Sequence, residues 1–305
     1  MRKLQIIMAS LLFLMVAACA TVPMTGRTQL QLVPSDQLVA MSHEQHRHFM
    51  TEHKLSGDTA NVRMVREVGN NIARAVEAYM RDIGRGDVVA NYNWEFNLVE
   101  DDSVNAFAMP GGKVVIFTGI LPIAQNRDGL AVIMGHEIAH VVADHGNERM
   151  SQGLLTQLGG LALTTALSQR PAATQELFMA AFGAGAQVGV LLPFSRLHER
   201  EADHLGLIFM AMAGYNPEEA PRFWERMTAE KSGARAPEFL STHPADSRRI
   251  EEIRKLLPEA MEYYRSSRSR RDPFFLQNQV TAQKLQAART CGGWSASGRP
   301  ANVRR

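Results

Sequence analysis

Three side chains in Gly135-His136-Glu137-Ile138-Ala139-His140 have the types and the spacing of a metal site. Leu130, Ile133, Met134, Ile138 and Val141 recur at helical spacing, so Leu130–Asp144 reads as a helix. Residues four apart on a helix lie one above the other, which presents the imidazoles of His136 and His140 as two ligands to one zinc ion. Glu137 falls about 100° further round, where a carboxylate can take a proton from water that the metal polarises. The combination predicts a zinc peptidase. The competing reading is a buried helix with two satisfied histidines and a stray acid; the motif lies on the helix it requires, which favours zinc.

Zinc needs a third protein ligand. A third histidine ten residues after the first is absent, because position 146 is Gly146 and His145 is one residue out of phase. His145 reads as a surface residue at the helix end. The better candidate lies in His198-Glu199-Arg200-Glu201-Ala202-Asp203, ahead of the apolar run Leu205–Met212. Glu199 and Asp203 share one face of this second helix. Glu199 can reach the zinc, while Asp203 can orient a ligand imidazole or act in proton transfer. Glu201 points elsewhere, towards Arg200, Arg196 or solvent. His243 precedes Pro244 and a helix over Ala245–Leu257. It reads as a fourth, displaceable ligand, as an oxyanion donor, or as an ordinary helix-entry residue, and Arg248 is a candidate contact to substrate carbonyls.

These groups must be held by a body, and the rest of the chain supplies one. Thr21–Pro34 reads as an extended tether and Ser35–His53 as a helix capped by Ser35 or Asp36. His43 and His46 on that helix have the spacing of a second metal site, a weaker reading than an exposed polar helix. Thr59–Met80 is amphipathic, with Val62, Val65, Val68, Ile72, Ala75, Val76 and Tyr79 inward. Asn93–Val99 alternates like a half-buried strand, and Asn105–Met109 and Lys113–Thr118 flank the turn Pro110-Gly111-Gly112. Together they predict a mainly α fold with a small antiparallel β-sheet. If Lys113–Thr118 is an exposed edge, it can add an extended peptide as a strand. Ser151–Ser195 carries only two charges, Arg170 and Glu176. Its apolar pieces, Leu154–Leu167 and Gln175–Leu192, fall short of the ~30 Å hydrocarbon thickness, so a helical lid over the site is expected, touching a membrane surface at most. Phe274–Arg289 reads as a final helix and Gly292–Arg305 as a disordered tail.

A chain of 305 residues, 45% apolar and 21% charged, has the make-up of a folded protein. A formal net charge of +2 gives no reason to expect nucleic acid as a partner. The cluster Arg265, Arg268, Arg270 and Arg271 reads as a solvated linker face. Arg2 and Lys3 precede an apolar run and then Ala17-Ala18-Cys19, the charge–apolar–small order of an export signal. Val16-Ala17-Ala18-Cys19 resembles a lipoprotein cleavage box, which predicts lipidation of Cys19, a membrane anchor, and an outer-membrane location facing the periplasm. Cys291 is then left without an intrachain partner.

The chain resembles the zinc metallopeptidases that include the CAAX-prenyl endopeptidase and the heat-shock protease HtpX, and within them a secreted, lipid-anchored bacterial branch. The residues that carry the resemblance are Val22–Arg27, Asn105–Gly112, His136–His140, Glu199–Asp203 and Ser241–Pro244, spread over residues 22 to 257. The resemblance implies a zincin-like (gluzincin) fold, one zinc held by His136, His140 and Glu199, Glu137 as base, and Asp203 as a candidate proton donor. Membrane members of the family carry spanning helices between the two zinc-bearing helices; Ser151–Ser195 is too short and polar for that. The expected organisation is a signal peptide at 1–18, a lipidated tether at 19–34, a peptidase domain at 35–257 and a helix with tail at 258–305. The expected function is endoproteolysis of unfolded or misassembled envelope polypeptides. A chaperone-like outer-membrane assembly factor and a structural lipoprotein with an inert zinc site are the alternatives, and the oligomeric state is not written in the sequence.

Overall fold

In the computed structural model, which describes residues 19–158, 178, 181, 195–230 and 237–271, the chain opens on an antiparallel ribbon. Its strands are β1 (Cys19–Thr21) and β2 (Thr28–Leu30), with Cys19 opposite Leu30. Between them Val22 N donates to Arg27 O at 2.8 Å, so Pro23 and Gly26 serve a turn and not a linker. Val22 is fully buried in the main core. Gln29 Nε2 donates to Ala143 O, and Asn147 Nδ2 to Val33 O, each at 2.9 Å. Residues 19–34, expected as a tether, are therefore strapped onto the body.

Two helices follow, α1 (Ser35–Glu52) and α2 (Thr59–Asp82). Neither Ser35 nor Asp36 caps α1: both lie inside its first turn, behind Pro34, and no side chain makes the cap. Asp58 caps α2, accepting from Ala60 N and Asn61 N at 3.0 Å each. A sheet of three strands comes next, β3 (Glu95–Val99), β4 (Ala106–Met109) and β5 (Lys113–Phe117), in the order β3-β5-β4. The β4–β5 hairpin is antiparallel, as its turn predicts, and Gly111 and Gly112 adopt φ of 78° and 84° there. β3 joins β5 in parallel, with Glu95 opposite Lys113. Lys113–Phe117 is therefore the central strand, paired on both sides, with no edge to offer a peptide.

The sheet is covered on both faces, which explains why β3 is not half-buried. Phe96, Leu98, Val114 and Ile116 face the main core with α2, while Val99, Phe107, Val115 and Phe117 face a second cluster with Leu38 and Phe49 of α1. Gly69 lets α2 approach: a methyl group there would stand 2.3 Å from the Phe96 ring. Asn97 is buried under α1, its Nδ2 3.2 Å from His46 Nε2. Among the described residues His43 and His46 belong to no cluster of metal-binding type.

The short α3 (Leu121–Ala124) leads into α4 (Arg127–Val142), buried from Gly129 to Val142, and α5 (His145–Leu158) starts after a left-handed Asp144, φ 58°. Further on lie α6 (Arg196–Met212), α7 (Glu219–Glu230), the single turn α8 (Phe239–Thr242) and α9 (Ser247–Arg271). α9 continues through Pro258, so Arg265 and Arg268 belong to a helix and not to a linker. The architecture is mostly helical with small sheets, as expected. The proposed lid falls largely outside the described residues; of its length, Phe178 and Ala181 are buried in the second cluster. Phe274–Arg289 and the tail lie outside them as well. Among the described residues no helix is long and apolar enough to cross a membrane.

Candidate metal centre

α4 and α6 meet backbone to backbone. A methyl group on Gly135 would come within 2.7 Å of Gly206 O, and one on Gly206 within 2.9 Å of the Gly135 carbonyl carbon. Two facing glycines thus let the helices close to a distance at which a carboxylate on one reaches imidazoles on the other. His136 Nε2 and His140 Nε2 stand 3.1 Å apart, and Glu199 Oε1 lies 3.3 Å from His140 Nε2. His243, delivered by the turn after α8, places Nδ1 3.0 Å from Glu199 Oε1 and 3.2 Å from His136 Nε2. All four residues are buried, and one ligand atom from each falls within 4.8 Å of the others. Donors that converge in so small a buried space could hold a metal ion, and the nitrogen and oxygen set suits zinc.

The groups around this set are arranged for charge. Arg249, 6% exposed, spans Asp203 through Nε and Nη2, both at 2.8 Å, and reaches Glu199 Oε2 through Nη1 at 2.5 Å. Its guanidinium lies 3.7 Å over the Trp224 ring. Asp203 Oδ1 is 3.1 Å from His136 Nδ1, the nitrogen turned away from the other donors. Burial would raise the Asp203 and Glu199 carboxyls, but Arg249 and the imidazoles outweigh it and hold both below the usual carboxylate range. Burial lowers His136, and the carboxylates of Asp203 and Glu199 more than reverse this, to about 9 in the metal-free protein. Burial pushes Glu137 up to about 8 and His243 down to about 4. His243 Nε2 lies 3.3 Å from Glu137 Oε1.

Two expectations are corrected here. His145 is not a surface residue: it is fully buried, because the left-handed Asp144 turns the chain back and sets His145 Nδ1 2.9 Å from His140 Nδ1. Glu201 meets neither Arg196, Arg200 nor open solvent; its Oε2 lies 2.9 Å from His145 Nε2 and 2.7 Å from Arg27 Nε, and the Thr25 hydroxyl donates to it. Burial would raise Glu201, but His145, Thr25 and Arg27 bring it down to about 2.

Arg248 is exposed, on the rim of a cavity of about 450 Å³ that Glu199, Arg196 and Arg200 also line. Its neighbour Arg249 is the arginine inside the site, and the sequence reading missed it. A signal was present. Arg249 stands in register with the buried stripe of Ile250, Ile253 and Ala260 on α9, and Arg248 does not.

A model of peptidase family M48 matches residues 66–257. The mitochondrial metalloendopeptidase OMA1 of Saccharomyces cerevisiae is 38% identical over 209 residues, covering 66% of this chain and 58% of that protein. The human mitochondrial metalloendopeptidase OMA1 is 31% identical over 247 residues, 78% of this chain and 46% of its own length. The beta-barrel assembly-enhancing protease of Escherichia coli is 30% identical over 166 residues, 53% of this chain and 34% of its own length. The chain therefore spans between 34% and 58% of the length of these relatives. They overturn the expected outer-membrane location facing the periplasm, since the yeast and human proteins are mitochondrial by name. The expectation rested on a basic, apolar, small-residue order, and such an order does not by itself specify a destination membrane.

Proposed function

The chain belongs to peptidase family M48, with the fold and the donor set of a zinc metalloendopeptidase, and from that premise we propose that it hydrolyses internal peptide bonds in unfolded or misassembled polypeptides. His136, His140 and Glu199 would hold the zinc in this proposal, and His243 lies close enough to serve as a further, displaceable ligand. When bound, zinc would supply Lewis acidity and lower the pKa of water towards neutrality. Glu137 takes the proton of the attacking water on its carboxylate. The carbonyl carbon gains the water oxygen, the C–N bond breaks, and Glu137 returns the proton to the departing amine. A cation beside Glu137 stabilises its charged form, which makes a carboxyl of about 8 a competent acceptor near neutral pH. Asp203, bound in two places by Arg249, is better suited to orienting His136 than to giving up a proton.

Burial of all four donors supports extended substrates, because folded backbone cannot reach them. The rim cavity with Arg248 offers an approach. Quality control as the wider role draws on the Escherichia coli relative, which is named for β-barrel assembly. The peptidase domain is proposed to take in residues 19–34, and a lipid at Cys19, suggested by Val16-Ala17-Ala18-Cys19, belongs to the same proposal. Cys19→Ala is expected to move the chain from the membrane to the soluble fraction.

The observation that carries the proposal is the convergence of His136, His140, Glu199 and His243 beside Glu137. Glu137→Gln should keep zinc and lose at least about 10²–10⁴-fold in hydrolysis of an unfolded casein substrate. Undiminished cleavage would remove Glu137 from the mechanism. Full function of that variant in a cellular assembly assay would favour the holding role over proteolysis.

A further inference from the structure

His140 and His136 leave α4 one turn apart, and among the described residues the carboxylate of Asp203 stands directly behind His136. Behind His140 stands a second imidazole. His140 Nδ1 lies 2.9 Å from His145 Nδ1, and His145 Nε2 lies 2.9 Å from Glu201 Oε2. Glu201 accepts from Arg27 Nε at 2.7 Å and from the Thr25 hydroxyl. The direction of this chain is forced. A neutral imidazole that offers the Nε2 lone pair to a cation carries its proton on Nδ1. His140 Nδ1–H must then donate, His145 Nδ1 must accept, and His145 Nε2–H must donate to the Glu201 carboxylate. Each hydrogen bond finds a partner in that one arrangement.

Arg27 also ties a second branch. Its Nη1 is 2.9 Å from Glu148 Oε2, which lies 2.9 Å from His198 Nε2. His198 stacks on His145 at 4.6 Å and immediately precedes Glu199 in sequence. One guanidinium from the amino-terminal ribbon thus holds the carboxylate behind His140 and the residue beside Glu199.

On the ligand set proposed above, we propose that His145, Glu201 and Arg27 are positioning residues for the metal, and that the ribbon over residues 19–34 is a working part of the site. His145 and Glu201 fix the tautomer and ring orientation of His140, as a carboxylate does directly for other metal-bound histidines. Arg27 and Thr25 hold the Glu201 carboxylate in place. By reciprocity, metal at His140 must steady the ribbon, and loss of the clamp must weaken the metal.

The test uses the full chain. Zinc affinity is measured by competition with a chromophoric chelator, the visible absorption of the cobalt-substituted protein reports ligand geometry, and amide exchange follows residues 20–31 with and without zinc. Glu201→Gln and His145→Phe should raise the zinc dissociation constant about 10-fold or more and shift the cobalt bands. Arg27→Met should do so by a smaller factor, and Arg27→Lys should recover part of the loss. Zinc should slow exchange in the wild-type ribbon and fail to do so in Glu201→Gln. Circular dichroism and melting of the metal-free variants establish that they fold. Wild-type affinity, cobalt spectrum and ribbon exchange in folded Glu201→Gln and Arg27→Met would overturn the relay while leaving the ligands intact. Failure of wild-type to bind zinc, or its retention by His140→Ala, would overturn the ligand set and the relay with it.

Discussion

The imidazoles of His136 and His140 leave the same buried helix, yet what stands behind each differs in kind. Behind His136 the support is compact and charged, with Asp203 against the ring and Arg249, buried over Trp224, pinning Asp203 and Glu199 together. Behind His140 the support is longer and reaches the surface, through His145 and Glu201 to Arg27, whose side chain is 17% exposed. A buried guanidinium between two buried carboxylates has no water to fall back on; a partly solvated one does. The first side should set stability, and both sides should tune the metal, the direct carboxylate more than the relayed one.

Removing each arginine breaks that comparison most strongly. Arg249→Met takes from two buried carboxylates the guanidinium they share and should cost about 3–5 kcal/mol in denaturant unfolding. Arg27→Met should cost about 1 kcal/mol, because water can replace part of what it loses. Equal costs would mean that the two sides do not differ as their burial implies. A smaller effect separates the carboxylates. Asp203→Asn should weaken zinc binding by up to about 100-fold, and Glu201→Gln, one imidazole further away, by less; a reversed order in the chelator competition would count against the directness of the Asp203 contact.

The smallest effect concerns the turn that brings His145 inward. Burial pushes Asp144 up to about 6 from its usual 3.8. The unfolded chain then ionises before the folded one, so stability is complete below about 3.8 and is lost as pH rises through about 6. Asp144→Asn tolerates the left-handed backbone and accepts the same bonds from Gln31 and Asn147 without a charge. It should melt higher than wild type at pH 7.5, with the difference closing near pH 4. A difference that grows towards low pH would show that Asp144 stabilises as a carboxylate.

Much of the fold was legible because it is local. The spacing of Leu130, Ile133 and Ile138 located the metal helix, and the stripe of Val65, Val68, Ile72 and Val76 located its neighbour. Pro110-Gly111-Gly112 announced the hairpin, since few sequences take two positive φ angles in succession. His136 with His140, and Glu199 with Asp203, stood out as candidates because four-residue spacing along a helix is enough to place two side chains on one face. What spacing cannot say is what that face will meet.

The sequence by itself thus determined the metal helix and the amphipathic helix before it, the hairpin, and the chemistry that the α4 motif and Glu199 can perform. Tertiary structure decided the rest: that Lys113–Phe117 is central, that Arg249 and not Arg248 enters the site, and that His145 faces inward. It also decided that Arg27 meets Glu201 across 174 residues of chain. The physical reason is one of range. Backbone periodicity is set by neighbours within a turn or two, whereas the partner of a buried charge depends on which distant segment arrives to share its burial. The metal helix names the chemistry, and the two unlike supports that fold up behind it determine how firmly that chemistry is held.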